Sequence, residues 1–311
     1  MRFVIAGGSG MIGRHLTRAL LADGWAVDIL TRDTERTSRR LPKGARAVAW
    51  SPNNPAGLET VLDGADGVIN LAGVSLGPRP WTPARKRAIL ESRLAATNAI
   101  VATVRALPSE RRPGVLVSAS GSDVYTGRDA QPADESTEPT HDFLADVCLR
   151  WEAAARAAED LGVRVALVRT AFVLAPDAPV LSLLALPFRL FVGGRLGSGR
   201  QWFSWIHIVD LVGIYRLALT DPTISGPINA AAPEPCRQAE LARALGRTLH
   251  RPCWLPVPAW ALRLALRDQA TLLIGSRRVV PRRALAAGYR FLHRAIDEAL
   301  ADVLGRAPVG D

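Results

Sequence analysis

A glycine-rich segment behind the first predicted strand constrains the fold of this chain more than any other feature. Residues 7–13 read Gly-Gly-Ser-Gly-Met-Ile-Gly and connect a β-rich run from Arg2 to Ala6 with a helical pattern from Met11 to Asp23. In such a turn the first glycine lets the chain leave the strand sharply, the second lets backbone amides approach a diphosphate, and the third lets the helix pack closely on the sheet. The start of the helix adds unpaired N–H groups and a positive dipole end. The segment therefore predicts a dinucleotide site, with a ligand-free glycine turn as the alternative, and the residues of that site are Gly7, Ser9, Gly10, Met11, Ile12 and Gly13.

Strand-like and helix-like segments alternate behind this turn, which is typical of a parallel sheet with helices on both faces. We expect a Rossmann-like doubly wound α/β domain over residues 1–170 and a smaller α+β substrate lobe over residues 171–306. A short apolar piece at 228–230 predicts a strand that returns to the sheet. The further predicted strands are Ala26–Thr31, Ala45–Trp50, Gly67–Leu71, Gly114–Ser118 and Val163–Arg169, and the long predicted helices are Pro83–Leu107 and Phe143–Leu161.

The end of the second predicted strand favours NADP(H) over NAD(H). Sites for NAD usually place an acidic residue there, which accepts a hydrogen bond from the ribose hydroxyl. Here the strand ends in Thr31-Arg32, and a guanidinium can hold a 2′-phosphate through two hydrogen bonds. Asp28 and Asp33 lie nearby and complicate this choice, and a solvated loop position is the alternative for Arg32. We predict Thr31 and Arg32 as cofactor-binding residues.

A turn of small residues closes the fourth predicted strand. Asn70 is followed by Leu71, Ala72 and Gly73 at the end of a later βα unit of the same sheet. Small side chains at such a place let the backbone pass beneath the ribose of a dinucleotide. We therefore add Leu71, Ala72 and Gly73 to the predicted cofactor site.

The formal charge of +10 raises the question of a nucleic-acid partner. Lys43 and Lys86 are the only lysines among the 39 basic residues, and the arginines are spread along the whole chain. Neither a helix-turn-helix nor a zinc finger nor a basic stripe interleaved with aromatic residues accompanies them. We predict no nucleic-acid partner, although such a charge favours an anionic small ligand.

Other sequence features bear on compartment and metals. The most apolar stretch, from Val180 to Val192, contains Pro187 and Arg189 and is too short to span a bilayer. The apolar run at the N-terminus is too short for a signal peptide. The three cysteines have neither CxxC nor Cys/His spacing. We expect a cytoplasmic protein with no membrane partner, no disulfide and no metal site.

Three further stretches, together with the two turns, carry a resemblance to a known family. They are residues 81–86 with Ser92-Arg93, residues 193–207 with Asp210, and residues 226–233. The chain resembles the extended short-chain dehydrogenase/reductase superfamily, and in its details the atypical epimerase-family branch, which is also described as NAD-dependent epimerase/dehydratase-like or nucleoside-diphosphate-sugar epimerase-like, with a DUF1731-type C-terminal part. The likeness extends from Met1 to about Leu304. It implies a Rossmann domain, an NADP-type cofactor, a substrate lobe of unknown specificity, and a homodimer formed through the two long helices.

The resemblance also exposes what the chain lacks. Dehydrogenases of this superfamily use a serine, a tyrosine and a lysine four residues after that tyrosine, and no YxxxK pair exists in this sequence. If Glu152 is aligned with the later glutamate of the family, Leu144 and Cys148 take the two places, and neither can replace the pair. Ser120, with Ser118 as the second choice, ends the fifth strand and is predicted to face the nicotinamide. Tyr125 is the nearest conceivable proton donor, with an ordinary loop position as its alternative.

Three other positions are predicted to contact ligands. Arg93 lies where related enzymes carry an asparagine near the cofactor, so it either pairs with a phosphate or is a surface charge. Ser118 is predicted to lie beside the cofactor. Gln201 and Trp202 combine hydrogen-bonding and aromatic groups and are predicted to line the substrate site, whereas His207 with Asp210 fits a structural cap of the next helix.

Three functions remain open at this stage. The first is an NADP(H)-dependent oxidoreductase of unknown substrate with a substituted acid/base group. The second is a non-enzymatic NADPH-binding sensor or scaffold. The third is a nucleotide-sugar epimerase or dehydratase, which needs an acid/base group that the sequence does not visibly supply.

Overall fold

The computed structural model describes residues 1–54, 56–77, 79–127 and 131–305 of the chain. Its centre is a seven-stranded sheet in the order β10-β6-β5-β4-β1-β2-β3, and all six pairings between neighbouring strands are parallel. The strands are β1 (Arg2–Ala6), β2 (Ala26–Thr31), β3 (Ala45–Ala49), β4 (Gly67–Asn70), β5 (Val115–Gly121), β6 (Arg164–Thr170), β7 (Phe172–Leu174), β8 (Trp202–Phe203), β9 (Trp205–His207), β10 (Gly226–Ala230) and β11 (Cys236–Arg237).

Helices cover both faces of this sheet, because successive strand residues point to opposite sides. Ile5 of β1 packs in one cluster with Leu16 and Leu211, whereas its neighbours Val4 and Ala6 pack in a second cluster with Ile100. The helices are α1 (Met11–Ala22), α2 (Thr34–Ser38), α3 (Leu58–Leu62), α4 (Pro83–Ala106), α5 (Phe143–Arg156), α6 (Pro179–Arg189), α7 (Ile208–Thr220), α8 (Gln238–Leu249), α9 (Ala259–Leu266), α10 (Thr271–Ile274), α11 (Arg282–Ala286) and α12 (Ile296–Gly305).

The doubly wound fold predicted from the sequence is confirmed. From β1 the chain runs outward to β2 and β3, and then returns to place β4 on the other side of β1. This reversal creates a crevice outside the carboxyl ends of β1 and β4, where open α/β sheets bind ligands. The glycine turn after β1 and the small-residue turn after β4 both border that crevice.

Two element boundaries differ from prediction by more than two residues. Strand β5 continues to Gly121 instead of ending at Ser118, because it stays paired with β6 as far as Thr170. Helix α5 ends at Arg156 instead of Leu161, and a 3₁₀ turn over Glu159–Leu161 leads to Gly162, whose φ of 78° ends the segment. The longer β5 carries Ser120 to the rim of the sheet.

Beyond Thr170 the chain forms the short strands β7 to β11 and the helices α6 to α12. Strands β7 and β9 pair in parallel, β8 and β11 pair antiparallel, and the apolar piece predicted at 228–230 is β10, which lies beside β6. The division into units 1–170 and 171–306 stays a prediction, and residue 306 lies outside the described residues. Within the described part of the chain, no helix combines the length and apolar character needed to cross a bilayer.

Candidate functional site

The glycine turn after β1 is built by close backbone contacts. Gly7 has a φ of 80°, and a Cβ there would lie 2.8 Å from the carbonyl of Leu71. A Cβ on Gly13 would lie 2.5 Å from the backbone of Gly8, so the third glycine lets α1 fold back onto its own turn. Gly10 differs, because a Cβ there would meet only the Gly7 oxygen, at 3.3 Å. The space outside Gly10 is therefore open.

Helix α1 presents an uncapped N-terminus to this open space. Gly10 is its N-cap and supplies no side-chain hydrogen bond, so the first amides of the helix, at Met11 and Ile12, keep their donor capacity. Both of these side chains pack against the core, which leaves the backbone as their means of contact. Ser9 lies exposed in the turn itself. This arrangement suits the diphosphate of a dinucleotide.

The acidic residues near the end of β2 are engaged elsewhere. Asp28 is buried and accepts hydrogen bonds from Arg46 at 2.7 and 2.8 Å and from Arg2 at 3.1 Å. Burial raises the pKa of Asp28, but the two guanidinium groups outweigh burial and hold it below its ordinary value. Asp33 caps α2 by accepting from the Arg36 amide at 3.0 Å. The Asp28 carboxylate is therefore engaged within the protein, whereas Asp33 commits one oxygen to the helix cap and stays exposed.

Thr31 and Arg32 lie at the carboxyl end of β2. Thr31 is buried, and its hydroxyl shares a 2.8 Å hydrogen bond with Thr37. Arg32 is exposed and has no ion-pair partner among the described residues. A cationic group is thus available where a 2′-phosphate would lie.

The turn after β4 is held from the side of α4. The Asn70 side chain accepts from the Ala72 amide at 3.1 Å and donates to Thr97 at 2.8 Å. A Cβ on Gly73 would lie 3.1 Å from the Cγ atom of Arg93. Arg93 donates to the carbonyl oxygens of Val74 at 3.2 Å and Ile89 at 2.8 Å. Arg93 therefore fastens this turn to the helix and is not a surface charge.

A cavity of about 270 Å³ opens beyond these turns, at the carboxyl ends of β5 and β6. Its volume is close to the lower bound of about 300 Å³ that is usual for small-molecule sites. Its polar lining consists of Arg93, Ser120, Ser122, Asp123, Thr170, Ser204 and Arg277, and its apolar lining includes Leu144, Val147, Cys148, Trp151, Phe172, Trp202 and Leu272.

Ser120 reaches this cavity with its hydroxyl already in a hydrogen bond. Its Oγ donates to Oε1 of Glu152 at 2.7 Å, and both residues are buried. Glu152 also receives two bonds of 2.8 Å from Arg169, which lies directly beside Ser120 on β6. Burial alone would lower the pKa of Arg169, but the hydrogen bonds and charge of Glu152 raise it above its ordinary value. Ser120 is thus connected to a buried ion pair.

Tyr125 does not fit the role of proton donor predicted for it. The side chain is fully buried, and its hydroxyl accepts from Arg169 at 2.6 Å and lies 3.3 Å from Oδ1 of Asn229. It lines no part of the cavity that the described residues form. The 3₁₀ turn Ser122–Tyr125 directs the ring into the core, and burial raises the pKa of its hydroxyl. Tyr125 supports Arg169 instead.

The two residues that the alignment on Glu152 puts in place of the tyrosine and lysine both face the cavity. Leu144 and Cys148 lie one turn apart on α5 and both belong to its lining. Burial, followed by the charge of Asp123, raises the pKa of the Cys148 thiol to about 12. A thiol with that pKa is neutral and brings no positive charge, so neither residue reproduces the chemistry of the absent pair.

Gln201 and Trp202 have different surroundings, although they are neighbours in sequence. The Gln201 amide donates to Leu196 O at 2.9 Å and accepts from Ser198 at 3.2 Å, so it holds a turn and does not line the cavity, contrary to prediction. Trp202 lines the cavity, and its contact with a substrate stays a prediction. Its ring lies between the guanidinium groups of Arg237 and Arg278, at 3.7 and 4.4 Å.

Ser118, predicted to contact the cofactor, is fully buried within β5. Its hydroxyl makes only a 3.4 Å contact with Ala119 O and contributes nothing to the cavity lining. His207 caps α7, as its structural interpretation predicts, since its Nδ1 accepts from the Val209 amide at 3.2 Å. Asp210 accepts from the amides of Leu292 and His293 and so fixes the C-terminal segment.

Sequence reasoning missed an ion pair that lies in the cavity wall. Asp123 and Arg277 are 2.7 Å apart, and Arg277 also donates to Thr126 at 3.2 Å. The sequence separates the two by more than 150 positions and offers no local pattern that joins them. Arg169 was missed in the same way, because it stands in no motif, and Glu152 served in the sequence only to align the chain with the family.

Comparison with known proteins places this geometry in context. The family model described as NAD dependent epimerase/dehydratase family matches residues 3–231, and one described as a domain of unknown function (DUF1731) matches residues 257–303. The epimerase family protein SDR39U1 homolog, chloroplastic, of Arabidopsis thaliana is 38% identical over 305 residues, which cover 98% of this chain and 87% of that protein. The epimerase family protein YfhF of Bacillus subtilis is 33% identical and covered to 98% in both chains.

The chain is also similar, in both fold and sequence, to a solved structure bound to a nucleotide. The latter is a crystal structure of human epimerase family protein SDR39U1 (isoform2) with NADPH, with a TM-score of 0.87 and 32% identity. The match covers 99% of this chain and all of that one. The similarity therefore extends over the sheet, the glycine turn and the pieces behind Thr170.

Proposed function

The chain belongs to the NAD-dependent epimerase/dehydratase family, and on that premise we propose that it is an NADP(H)-dependent oxidoreductase in which Ser120 and Glu152 take the place of the missing tyrosine and lysine. The observation that carries this proposal is the cavity at the carboxyl edge of the sheet, with the Ser120 hydroxyl in its wall and the Glu152 carboxylate behind it.

The residues around the crevice fit NADP(H). The uncapped start of α1 and the open space at Gly10 suit the diphosphate. The exposed Arg32 suits a 2′-phosphate, whereas Asp28 and Asp33 are occupied by other partners. The turn from Leu71 to Gly73 would lie beneath the ribose. The crystal structure of the human relative with NADPH supports the same choice.

When bound, the cofactor supplies or accepts a hydride at the substrate carbon, and the chain must move the matching proton. In the direction of alcohol oxidation, a substrate hydroxyl in the cavity donates to Ser120 Oγ, and Ser120 passes its own proton to Oε1 of Glu152 along the 2.7 Å hydrogen bond. Reduction of a carbonyl uses the same path in reverse. Arg169 holds Glu152 in place through two hydrogen bonds.

The test is turnover with variants of the cavity wall. The purified chain is mixed with NADPH and a panel of carbonyl and quinone acceptors, and the absorbance of the reduced nicotinamide is followed. We expect Ser120→Ala to lower kcat by about a hundredfold, because proton transfer contributes about 10²–10⁴ to such reactions. NADPH affinity should stay unchanged. Ser122→Ala is the matched control, since Ser122 is also a buried serine of the lining. Equal loss in both variants, or no loss in Ser120→Ala, contradicts the proposed path.

The second function is NADPH binding without turnover, as in a sensor or scaffold. Leu144 and Cys148 favour it, because both cavity positions that normally carry the acid/base pair lack a group that can donate a proton or hold a positive charge. Tight NADPH binding with no turnover on any acceptor supports this function. A nucleotide-sugar epimerase requires the same absent groups, and nothing in the cavity favours it over either.

The lining of the cavity indicates which class of substrate it would hold. Aromatic and aliphatic side chains make up most of the lining, while Asp123 and Arg277 provide one fixed polar corner. A small carbonyl or alcohol with an apolar body matches this division. A cytoplasmic location and a homodimer formed through α4 and α5 remain predictions.

A further inference from the structure

The large hydrophobic side chains that the described residues leave exposed are concentrated in two segments. Ten of fourteen such residues lie either in and just after α6 or between residues 254 and 264. We call these ten the apolar face. Its members are Val180, Leu183, Leu186, Leu190, Phe191, Val192, Trp254, Leu255, Trp260 and Leu264.

The two segments of the apolar face are joined to each other by hydrogen bonds. The Trp254 indole donates to Phe191 O at 2.9 Å, and the Trp254 amide donates to Gly193 O at 2.9 Å. Further along, the Val257 amide donates to Arg195 O at 2.9 Å. The apolar face therefore combines two segments that are distant in sequence and joined between residues 191–195 and 254–257, and Val180 also lines the cavity.

Helix α6 is apolar on both of its sides. Leu181, Ala185 and Phe188 are buried against the body of the protein, at the spacing of one helical face. Leu183, Leu186 and Leu190 follow the same spacing on the outside and are 66%, 47% and 62% exposed. A surface helix normally carries polar residues there.

Helix α9 shows the same feature more strongly. Its eight residues read Ala-Trp-Ala-Leu-Arg-Leu-Ala-Leu, and none of them is buried. Trp260 and Leu264 lie one turn apart and are 69% and 77% exposed. Contiguous exposed apolar residues on this scale mark an interaction site in a stable protein.

Arginine predominates among the charges near the apolar face. Residues 178–209 contain three arginines and residues 241–267 contain five, while Asp177, Asp210, Glu240 and Asp268 border the two stretches and Arg247 pairs with Asp297. Arg251 lies with its guanidinium 4.5 Å from the centre of the Phe191 ring, inside the apolar face itself. This excess of positive charge favours a partner that is both apolar and anionic.

We propose that the apolar face docks on the surface of a bilayer that contains anionic lipids. Tryptophan and leucine side chains enter the boundary between headgroups and acyl chains, and neighbouring arginines pair with lipid phosphates. A second copy of the chain fits poorly, because it would bring one arginine-rich surface against another. The proposal concerns contact with a membrane surface, and it departs from the sequence-based expectation of no membrane partner, which stays a prediction.

Vesicle sedimentation tests this proposal with the full chain. Vesicles of phosphatidylcholine alone are compared with vesicles of phosphatidylcholine and phosphatidylglycerol in equal parts. We expect sedimentation with the anionic vesicles only, and weaker sedimentation as salt is raised, because salt screens the arginines. The variant Leu183→Glu with Trp260→Glu should bind the anionic vesicles at least about tenfold more weakly.

The control is Leu292→Glu, which adds the same charge at a site that is 68% exposed and lies outside the apolar face. It should bind vesicles like the parent chain, and NADPH binding by every variant confirms that each one is folded. The proposal is overturned if the parent chain binds no vesicles, if it binds neutral vesicles equally well, or if the double variant binds undiminished. A dimer that Trp260→Glu dissociates, without vesicle binding, would assign the apolar face to a second copy and also overturn it.

Discussion

The buried ion pair behind Ser120 yields the sharpest prediction about stability. Arg169 lies on β6 in register with Ser120 on β5 and with Asn229 on β10, so it stands in the middle of the sheet rim. Its guanidinium donates twice to Glu152 and once to Tyr125. The perturbation we consider is Arg169→Met, which keeps an unbranched side chain of similar length and removes the charge.

This substitution leaves the Glu152 carboxylate buried with only one donor. Glu152 is 4% exposed, and after the change it keeps the Ser120 hydroxyl alone. Removing one member of a buried ion pair costs about 3–5 kcal/mol, because the other charge stays out of water without compensation. That loss is a large fraction of the about 5–15 kcal/mol that holds a typical domain folded.

The assay is denaturant unfolding followed by tryptophan fluorescence, arranged as a double-mutant cycle. Glu152→Met alone should also destabilise strongly, because it strands Arg169. The variant with both substitutions should lose less than the sum of the two single losses, with a coupling of about 2–3 kcal/mol. Arg247→Met serves as the control, since its partner Asp297 is exposed and solvent screens their 2.6 Å contact. Additive losses in the cycle, or a cost for Arg169→Met no larger than that of the control, would show that the buried Arg169–Glu152 pair does not stabilise the fold as predicted.

Two further predictions concern cofactor choice and pH. Calorimetry should show that Arg32→Ser weakens NADPH binding about tenfold and leaves NADH binding unchanged. The reason is that a charge-assisted hydrogen bond to the 2′-phosphate is worth about 1.5 kcal/mol or more. Equal weakening for both nucleotides contradicts the assignment of Arg32 to that phosphate. Burial, and secondly the charge of His293, lowers the pKa of His207 from 6.5 to about 4. The unfolded chain then binds more protons between these values, so the free energy of unfolding should fall as the pH falls through this window, by about 3 kcal/mol in all. His207→Asn, which keeps a capping side chain, should flatten the dependence in urea titrations at several pH values, and an unchanged slope would assign it to other groups.

The fold could be predicted because its signals are local. A strand, a glycine turn and a helix follow one another within the first 23 residues, and the later βα units repeat the pattern. The predicted strands match the observed ones to within a few residues. The boundaries that moved, at Gly121 and Arg156, depend on how far a neighbouring strand continues and on where a glycine allows a left-handed turn.

The cavity was harder to predict, because its polar groups come from separate parts of the chain. The sequence predicted that Ser120 lies at the end of the fifth strand, and in the structure Ser120 lies there and lines the cavity. Tyr125 follows five residues later, and this short separation predicted that it lies near Ser120 and the nicotinamide. Instead, the 3₁₀ turn after Gly121 directs its ring into the core beside Val124. No periodicity predicts that orientation. Gln201 was predicted to line the substrate site because aromatic residues follow it in the sequence. In the structure its amide forms hydrogen bonds with Leu196 and Ser198 and stabilises that turn.

The missing tyrosine and lysine also decide what kind of acid/base group can operate in this cavity. Cys148 has the right position, but its buried thiol keeps its proton, and Leu144 has none to give. In the proposed function the proton therefore moves through the other wall of the cavity, where the Ser120 hydroxyl is hydrogen-bonded to the buried Glu152 carboxylate. The Glu152 carboxylate also stabilises the rim of the sheet through its ion pair with Arg169. Glu152→Gln should remove the proton acceptor but also weaken the rim, because a neutral amide leaves Arg169 without its counter-charge and offers only one oxygen, so turnover and the free energy of unfolding must be measured together.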